Sequence, residues 1–293
     1  MYVLQDLARL SRPQYLILAG LTYVLGTGIA RYLGIPWRAS AFWLGLGGVA
    51  LAQMAMNLLA EAFRPAHEWP SGGNNLAFQG SLRDGALYIS IGGLAVCALL
   101  ALVLVKENGL DPQTFVVIGL SLLVTLFYAL PPLRLLDRGF GEMLLAIQIA
   151  YLAPSIGFVL QTQNSHGLLN AVIVPLTVLA LAMFLVLDFP AYADDIQLGR
   201  RTLLTRLGWE AAVPMHHGML IATYVLFGSA AVLGFSLRLL WPAFLSLPFA
   251  FFQYRMLQNI ALGAKPIWGL VRVNAFAVFG LTVYFLTLNF WTR

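Results

Sequence analysis

Apolar residues run along the chain in nine blocks, at about 14–34, 40–62, 85–105, 113–130, 139–161, 168–191, 212–235, 237–256 and 269–291. A hydrocarbon core of about 30 Å takes about 20 residues of apolar helix to cross. Each block therefore predicts one membrane-spanning helix, and together they predict an all-α, polytopic membrane protein of nine helices. Pro242 and Pro248 fall inside the eighth block, where proline removes a backbone donor and kinks a helix. Polar residues gather between the blocks, and the two longest polar stretches follow the second and sixth.

Composition agrees with lipid as the main solvent: 60% of residues are apolar and 10% are charged. The chain has no room for a soluble domain beside nine spans. Its net charge of +5 fits the positive-inside bias and anionic lipid, and no basic patch interleaved with aromatics points to nucleic acid. With the N-terminus cytoplasmic, that side receives Arg9, Arg12, Arg64, Arg83, Arg134, Arg138, Arg200, Arg201, Arg206, Arg255, Lys265 and Arg272. The other side receives Arg31, Arg38, Lys106, Arg238 and Arg293. This bias predicts an inside N-terminus and an outside C-terminus, in a bacterial or archaeal cell membrane. The seven tryptophans fall near helix ends or in loops, as interfacial anchors do. The single cysteine, Cys97, permits no intrachain disulfide. The first block is long and lacks a small-residue cleavage site, so it reads as a span and not as a signal peptide.

The two long polar stretches carry the chemistry. One begins with Asn57 and Glu61 and runs to Glu68; the other runs from Asp188 to Asp195 and on through Gly199-Arg200-Arg201-Thr202. Ionisable residues at the end of a span are costly and mark function by default. On a helix, Asp188, Tyr192 and Asp195 fall near one face, because seven residues make about two turns. Gathered carboxylates attract magnesium, which shares oxygen ligands with substrate phosphates, and neighbouring arginines hold phosphate oxygens directly. Acid beside base at the membrane surface thus predicts a phosphate or diphosphate ligand, against the plainer reading of a solvated, topology-setting loop. The polar stretches stand four helices apart, which suggests two four-helix pseudo-repeats, about 14–130 and 139–256, followed by a ninth helix at 269–291, in one domain spanning 1–293.

Several motifs then occur in order: Ser11-Arg12-Pro13 and Leu25-Gly26-Thr27; Asn57-Leu58-Leu59; Ser71-Gly72-Gly73 and Gly80; Tyr128 through Pro131-Pro132 to Arg134; Arg138-Gly139-Phe140-Gly141-Glu142; Ala153-Pro154, Gly157 and Gln161; and Phe189-Pro190 leading to Asp195 and Gly199-Arg200-Arg201-Thr202-Leu203. In this order and spacing the chain resembles the UbiA superfamily of intramembrane prenyltransferases, nearest to the 1,4-dihydroxy-2-naphthoate prenyltransferase branch. The resemblance implies a bundle of nine helices around a lipid-open cavity, with two aspartate-rich motifs on its cytoplasmic rim. It also implies magnesium and an isoprenyl diphosphate as ligands, and alkylation of an aromatic acceptor.

The chain departs from that pattern within the motifs. Where the branch has an asparagine and an aspartate in the first motif the chain has Ala60 and Arg64, and where it has an aspartate in the second the chain has Ala191, which leaves Glu61 and Asp195, with Asp188 and Asp194 as substitutes. The leading expectation is a membrane prenyltransferase acting from a prenyl diphosphate on an aromatic, quinone-precursor or lipid acceptor. Glu61, Asp188, Asp194 and Asp195 are expected to hold magnesium, with Asn57 orienting a ligand. Arg64, Tyr128, Arg134, Tyr192, Arg200 and Arg201 are expected to contact substrate. One alternative is a non-catalytic homologue that binds a prenyl lipid, quinone or pigment as a carrier or assembly subunit, with a membrane-protein partner. The other is a terpene cyclase of the same fold. Arg64 beside Glu61 leaves two outcomes open, a direct phosphate contact or a salt bridge that closes the site. His216 and His217 are neighbours that point apart on a helix, so a shared metal is not expected. His67 and His166 read as loop residues.

Overall fold

The computed structural model describes residues 2–65, 76–108, 111–164 and 166–293. Glu68, His67 and the Ser71-Gly72-Gly73 motif lie outside the described residues. Among the described residues every regular element is a helix. A short amphipathic helix, α1 (Tyr2–Leu10), precedes α2 (Pro13–Tyr32) and α3 (Ala39–Ala62). Next come α4 (Leu76–Asn108) and α5 (Pro112–Ala129). A 3-10 turn at Leu135–Arg138 leads into α6 (Gly141–Ala146), which runs through a π-helical stretch, Ile147–Leu152, into α7 (Ala153–Thr162). Then α8 (Gly167–Asp188) passes through a 3-10 turn, Phe189–Ala191, to α9 (Tyr192–Gln197) and the short α10 (Leu203–Leu207). The chain finishes with α11 (Trp209–Ser229), α12 (Leu237–Leu240), α13 (Leu247–Ala261) and α14 (Trp268–Thr292).

Eight helical stretches among the described residues are long and apolar enough to cross a membrane. The chain is an integral, multi-pass membrane protein. The block expected as the eighth of nine spans is helical but broken: one turn of α12, a 3-10 turn at Trp241–Ser246, then the 15 residues of α13. Non-helical backbone at membrane depth survives where neighbouring elements satisfy it. Here Asn289 donates to the Leu239 carbonyl (3.0 Å) and Asn274 to the Phe249 carbonyl (3.0 Å). A chain of hydroxyls, Tyr224 to Ser246 (2.8 Å) and Ser246 to Thr282 (2.6 Å), ties the break to α11 and α14.

The centre of the bundle is the contact of α2 with α7. Added Cβ atoms at Gly26 and Gly157 would land on the Pro154 and Tyr23 carbonyls, so only glycine lets these backbones approach so closely, the small-residue packing that substitutes for a hydrophobic drive in lipid. Thr27 donates to the Gly157 carbonyl (3.2 Å) and Thr22 to that of Ile149 (2.6 Å) across the same seam. The outward faces are apolar, as lipid requires: Leu99 and Leu102 on α4 and Ile221 and Val225 on α11 are all exposed. At one end of the bundle converge the start of α2, the ends of α3, α5 and α8, and the start of α6.

Candidate functional site

That convergence encloses a cavity of about 200 Å³. Five arginines line it, Arg12, Arg64, Arg134, Arg200 and Arg201, and five acids, Glu61, Asp137, Glu142, Asp188 and Asp195; Tyr15 and Tyr128 contribute phenol rings. Equal numbers leave the cavity formally neutral, with its charges sorted onto different walls.

On the wall built by α3, Glu61 is 3% exposed. Its Oε1 accepts from Arg12 at 3.3 Å and from Arg64 at 3.2 Å. Its Oε2 lies 3.0 Å from the same Arg64 nitrogen, outside hydrogen-bond alignment. Arg64 reaches back because it follows the last turn of α3. Arg12 arrives from 49 residues away on a built corner. It caps α2 in a left-handed conformation, φ 51°, with Pro13 beginning the helix. Asn57 Nδ2 donates to the Ser11 carbonyl at 2.8 Å and so fixes that corner, while Asn57 Oδ1 accepts from Gln53. Asn57, expected to orient a ligand, instead stands behind Arg12 and does not line the cavity.

Arg134 also serves the end of α3. It donates to the Phe63 carbonyl, pairs with Asp137, and reaches the Ala60 carbonyl at 3.4 Å. Carbonyls at a helix C-terminus have no partner within the helix, and the arginine supplies one. Arg134 thus joins a capping role to its place on the cavity wall.

The opposite wall is acidic. Asp195 on α9 accepts from Arg200 at 3.2 Å, and the backbone bond from Arg200 N to the Asp195 carbonyl, 2.8 Å, folds the loop at Gly199, φ +67°, that makes this possible. Asp188 at the end of α8 faces Glu142. Glu142 Oε1 accepts from the Leu203 amide at 2.8 Å, so this acid links α6 to the start of α10. Asp188 Oδ2 and Glu142 Oε2 are shut from solvent and the two carboxyl groups lie within hydrogen-bond reach of one another, while the Tyr128 hydroxyl has no hydrogen-bond partner among the described residues. Two carboxyl groups facing each other repel unless a proton or cation lies between them.

The expected site residues thus divide. Glu61, Arg64, Tyr128, Arg134, Asp188, Asp195, Arg200 and Arg201 meet at the cavity. Asp194 is exposed and does not line the cavity, and Tyr192 packs against Trp209 with ring centroids 5.9 Å apart. Asp188 and Asp195 keep to one face as their spacing predicts. Of the residues between them Ala191 also lines the cavity, whereas Tyr192 and Asp194 do not. Arg12 and Glu142 were not among the expected site residues. An arginine immediately before a helix-opening proline, on the same side as both polar stretches, was the available signal for the first.

A hard cation such as magnesium takes oxygen ligands, and the two walls suit it differently. The acidic wall presents two buried carboxyl groups that face each other, with Asp195 nearby, which fits a single ion. The Glu61 wall does not, since arginines occupy its carboxylate. No group of three or more histidine, cysteine, aspartate or glutamate residues is arranged to hold a metal among the described residues. His216 and His217 do not converge on one point either: their ring centroids are 5.7 Å apart, and His217 stacks on Tyr254 at 4.0 Å. His166 caps α8, accepting from the Leu168 amide at 3.1 Å.

The model of the UbiA prenyltransferase family matches residues 79–266. No curated protein sequence matches the chain. Among solved structures, a UbiA homologue from Archaeoglobus fulgidus bound to GPP and Mg2+ superposes with a TM-score of 0.67 at 16% identity, covering 98% of this chain and 99% of that one. The apo structure of a UbiA homologue from Aeropyrum pernix K1 gives 0.60 at 14% identity, over 94% and 96% of the two chains. A digeranylgeranylglyceryl phosphate synthase gives 0.61 at 13% identity, over 100% of both. These likenesses are of fold.

Proposed function

The chain belongs to the UbiA prenyltransferase family, and from that premise we propose that it binds an isoprenyl diphosphate at the charged cavity and transfers the isoprenyl group to an aromatic, quinone-precursor acceptor. The observation that supports this most directly is the convergence of five arginines on one chamber at the end of an apolar bundle. Diphosphate oxygens accept forked, charge-assisted bonds from guanidinium groups. The prenyl chain is at home in the surrounding lipid-like wall.

In this reading the carbon–oxygen bond of the diphosphate ester breaks, its electron pair leaving on the diphosphate. The allylic carbon forms a bond to the acceptor ring, which then loses a proton to water. Arg200 and Arg201 meet the diphosphate at the mouth, and Arg134 lies deeper, fixed by its cap on α3. Tyr128 offers its unpartnered hydroxyl to an incoming oxygen. A magnesium ion held between Asp188 and Glu142 would offset the charge that develops on the leaving diphosphate. The membrane side carrying the cavity is the cytoplasmic one, where water-soluble diphosphates are made available. The naphthoate-like acceptor rests on the resemblance of the motifs to that branch; a lipid acceptor is the alternative that the glyceryl phosphate synthase of the same fold suggests.

Purified protein in lipid nanodiscs, given geranylgeranyl diphosphate with a panel of dihydroxynaphthoate and glycerol phosphate acceptors, should release diphosphate and form a prenylated product. Asp195→Ala should abolish both. Full turnover in that variant would sink the assignment of the acidic wall. Retention of a co-purified prenyl lipid with no diphosphate release from any pair would favour the non-catalytic carrier, a reading supported by the closed ion pairs around Glu61.

A further inference from the structure

The arginines at the chamber end divide by what neutralises them. Arg12, Arg64, Arg134 and Arg200 each pair with an acid. Arg138, Arg201 and Arg206 pair with none among the described residues, yet all three line one cleft of about 700 Å³ outside the chamber. Arg134 and Asp137, which pair with each other, complete its charged lining, so four arginines stand against a single acid. Asp194 and Glu210, exposed acids on α9 and α11, do not line it. Local contacts hold the guanidinium groups in place. Arg206 donates to the Arg138 carbonyl at 3.0 Å and lies over the Phe140 ring at 5.1 Å. An added Cβ at Gly139 would collide with its side chain, so the glycine is what lets it lie there. Arg138 donates to the Pro132 carbonyl at 2.9 Å. Each of these bonds uses one of the five N–H groups of a guanidinium and leaves its charge uncompensated.

We infer that this cleft is a second anion site, and that its ligand is the phosphate monoester of a membrane lipid. Its place in the fold supplies the lipid. The cleft is formed by the loop that carries Gly199, Arg201 and Arg206 and by the turn between α5, a span that ends at Ala129, and α6, which opens the next span at Gly141. A turn that joins two spans lies at the level of the headgroups. Leu133 and Phe140 are exposed within the cleft, and toward the bilayer α5 exposes Leu123 and Phe127 and α6 exposes Met143. Chains hanging from a phosphate in the cleft therefore meet an apolar surface. The charge selects the headgroup. A phosphate monoester carries about −1.5 to −2 at pH 7, whereas a diester carries a single negative charge and a zwitterionic head none overall. Monoester oxygens also accept forked bonds from several guanidinium groups at once. Arg201 lines both the cleft and the chamber, so a lipid phosphate held here stands beside the chamber mouth and shares one arginine with it.

The test is native mass spectrometry of the full chain released from detergent, titrated with dioleoyl phosphatidic acid, phosphatidylglycerol or phosphatidylcholine. Phosphatidic acid should bind at least about tenfold more tightly than phosphatidylcholine, a difference of about 1.4 kcal/mol, with phosphatidylglycerol between them. Equal binding of all three lipids overturns the inference, and phosphatidylglycerol that binds as tightly as phosphatidic acid overturns the choice of a monoester. Arg138→Gln combined with Arg206→Gln should erase the preference. Arg138→Gln alone, which removes one bond from an exposed side chain, should lower it part way and serves if the double variant does not fold. Arg138→Lys, which keeps the charge, should retain most of it. A preference undiminished in the glutamine variants puts the lipid elsewhere and overturns the cleft as its site. Inorganic pyrophosphate separates cleft from chamber: the double variant should bind it as the wild type does, and parallel loss of both ligands would mean that phosphatidic acid occupies the chamber. Inorganic phosphate separates lipid from free anion, since displacement of phosphatidic acid by an equimolar amount overturns the lipid as the ligand.

Discussion

Asn57 shows how a single amide can serve a site that it does not touch. Its Nδ2 satisfies the Ser11 carbonyl at the corner that aims Arg12 into the chamber, and its side chain is 1% exposed. Asn57→Ala removes a donor from a carbonyl packed against it, a loss worth roughly 1 to 3 kcal/mol. Thermal unfolding in detergent should show that loss. Pyrophosphate affinity should fall too, because Arg12 is no longer held, and a mutation that only lowered stability would leave the affinity of the folded fraction unchanged. This role was not legible in the sequence. The motif around Asn57 pointed to the right helix end, but the partner lies 46 residues away and is a backbone atom, which no side-chain pattern announces. By contrast Asp195 and Arg200, five residues apart, were legible because a short loop brings them together whatever the rest of the bundle does.

At the scale of elements, the membrane-length apolar blocks translate almost directly into helices, since a chain solvated by lipid must satisfy its backbone internally. The exception is the broken segment at 237–261. Its two prolines signalled a kink, while the hydroxyl and amide partners that make the break tolerable come from α11 and α14 and cannot be read locally. Glycines divide in the same way. Gly26 and Gly157 sit where α2 and α7 nearly touch, whereas Gly92 faces open space on α4. Gly26→Ala or Gly157→Ala should therefore cost about 1 to 3 kcal/mol through overpacking, and Gly92→Ala should be neutral or mildly stabilising, since alanine is the better helix former. Chemical denaturation of the three variants side by side would check this. Equal losses at all three positions would mean that the α2–α7 seam is looser than described.

For the whole molecule, the two ends of the bundle differ in kind, and that difference bears on which way the protein lies in its membrane. One end carries the chamber, its five arginines and the acids that oppose them. The other is capped by aromatic packing: Trp37 and Trp291 meet at 5.4 Å, and Arg31 lies over the Trp291 ring at 5.3 Å. Lysine and arginine concentrate at the chamber end, the distribution retained on the cytoplasmic side during insertion. A charged chamber on that side is also where a diphosphate can enter from water without crossing lipid. The orientation can be read out with thiols, because Cys97 is the single native cysteine and lies inside the span of α4. In a Cys97→Ala background, Ser236→Cys places a thiol in the exposed turn before α12, and Gln197→Cys places one at the exposed last residue of α9, at the chamber end. A membrane-impermeant maleimide applied to intact cells should label position 236 and spare position 197 until the membrane is permeabilised. The reverse pattern would put the chamber, and the arginine-rich end with it, outside the cell, against the charge rule.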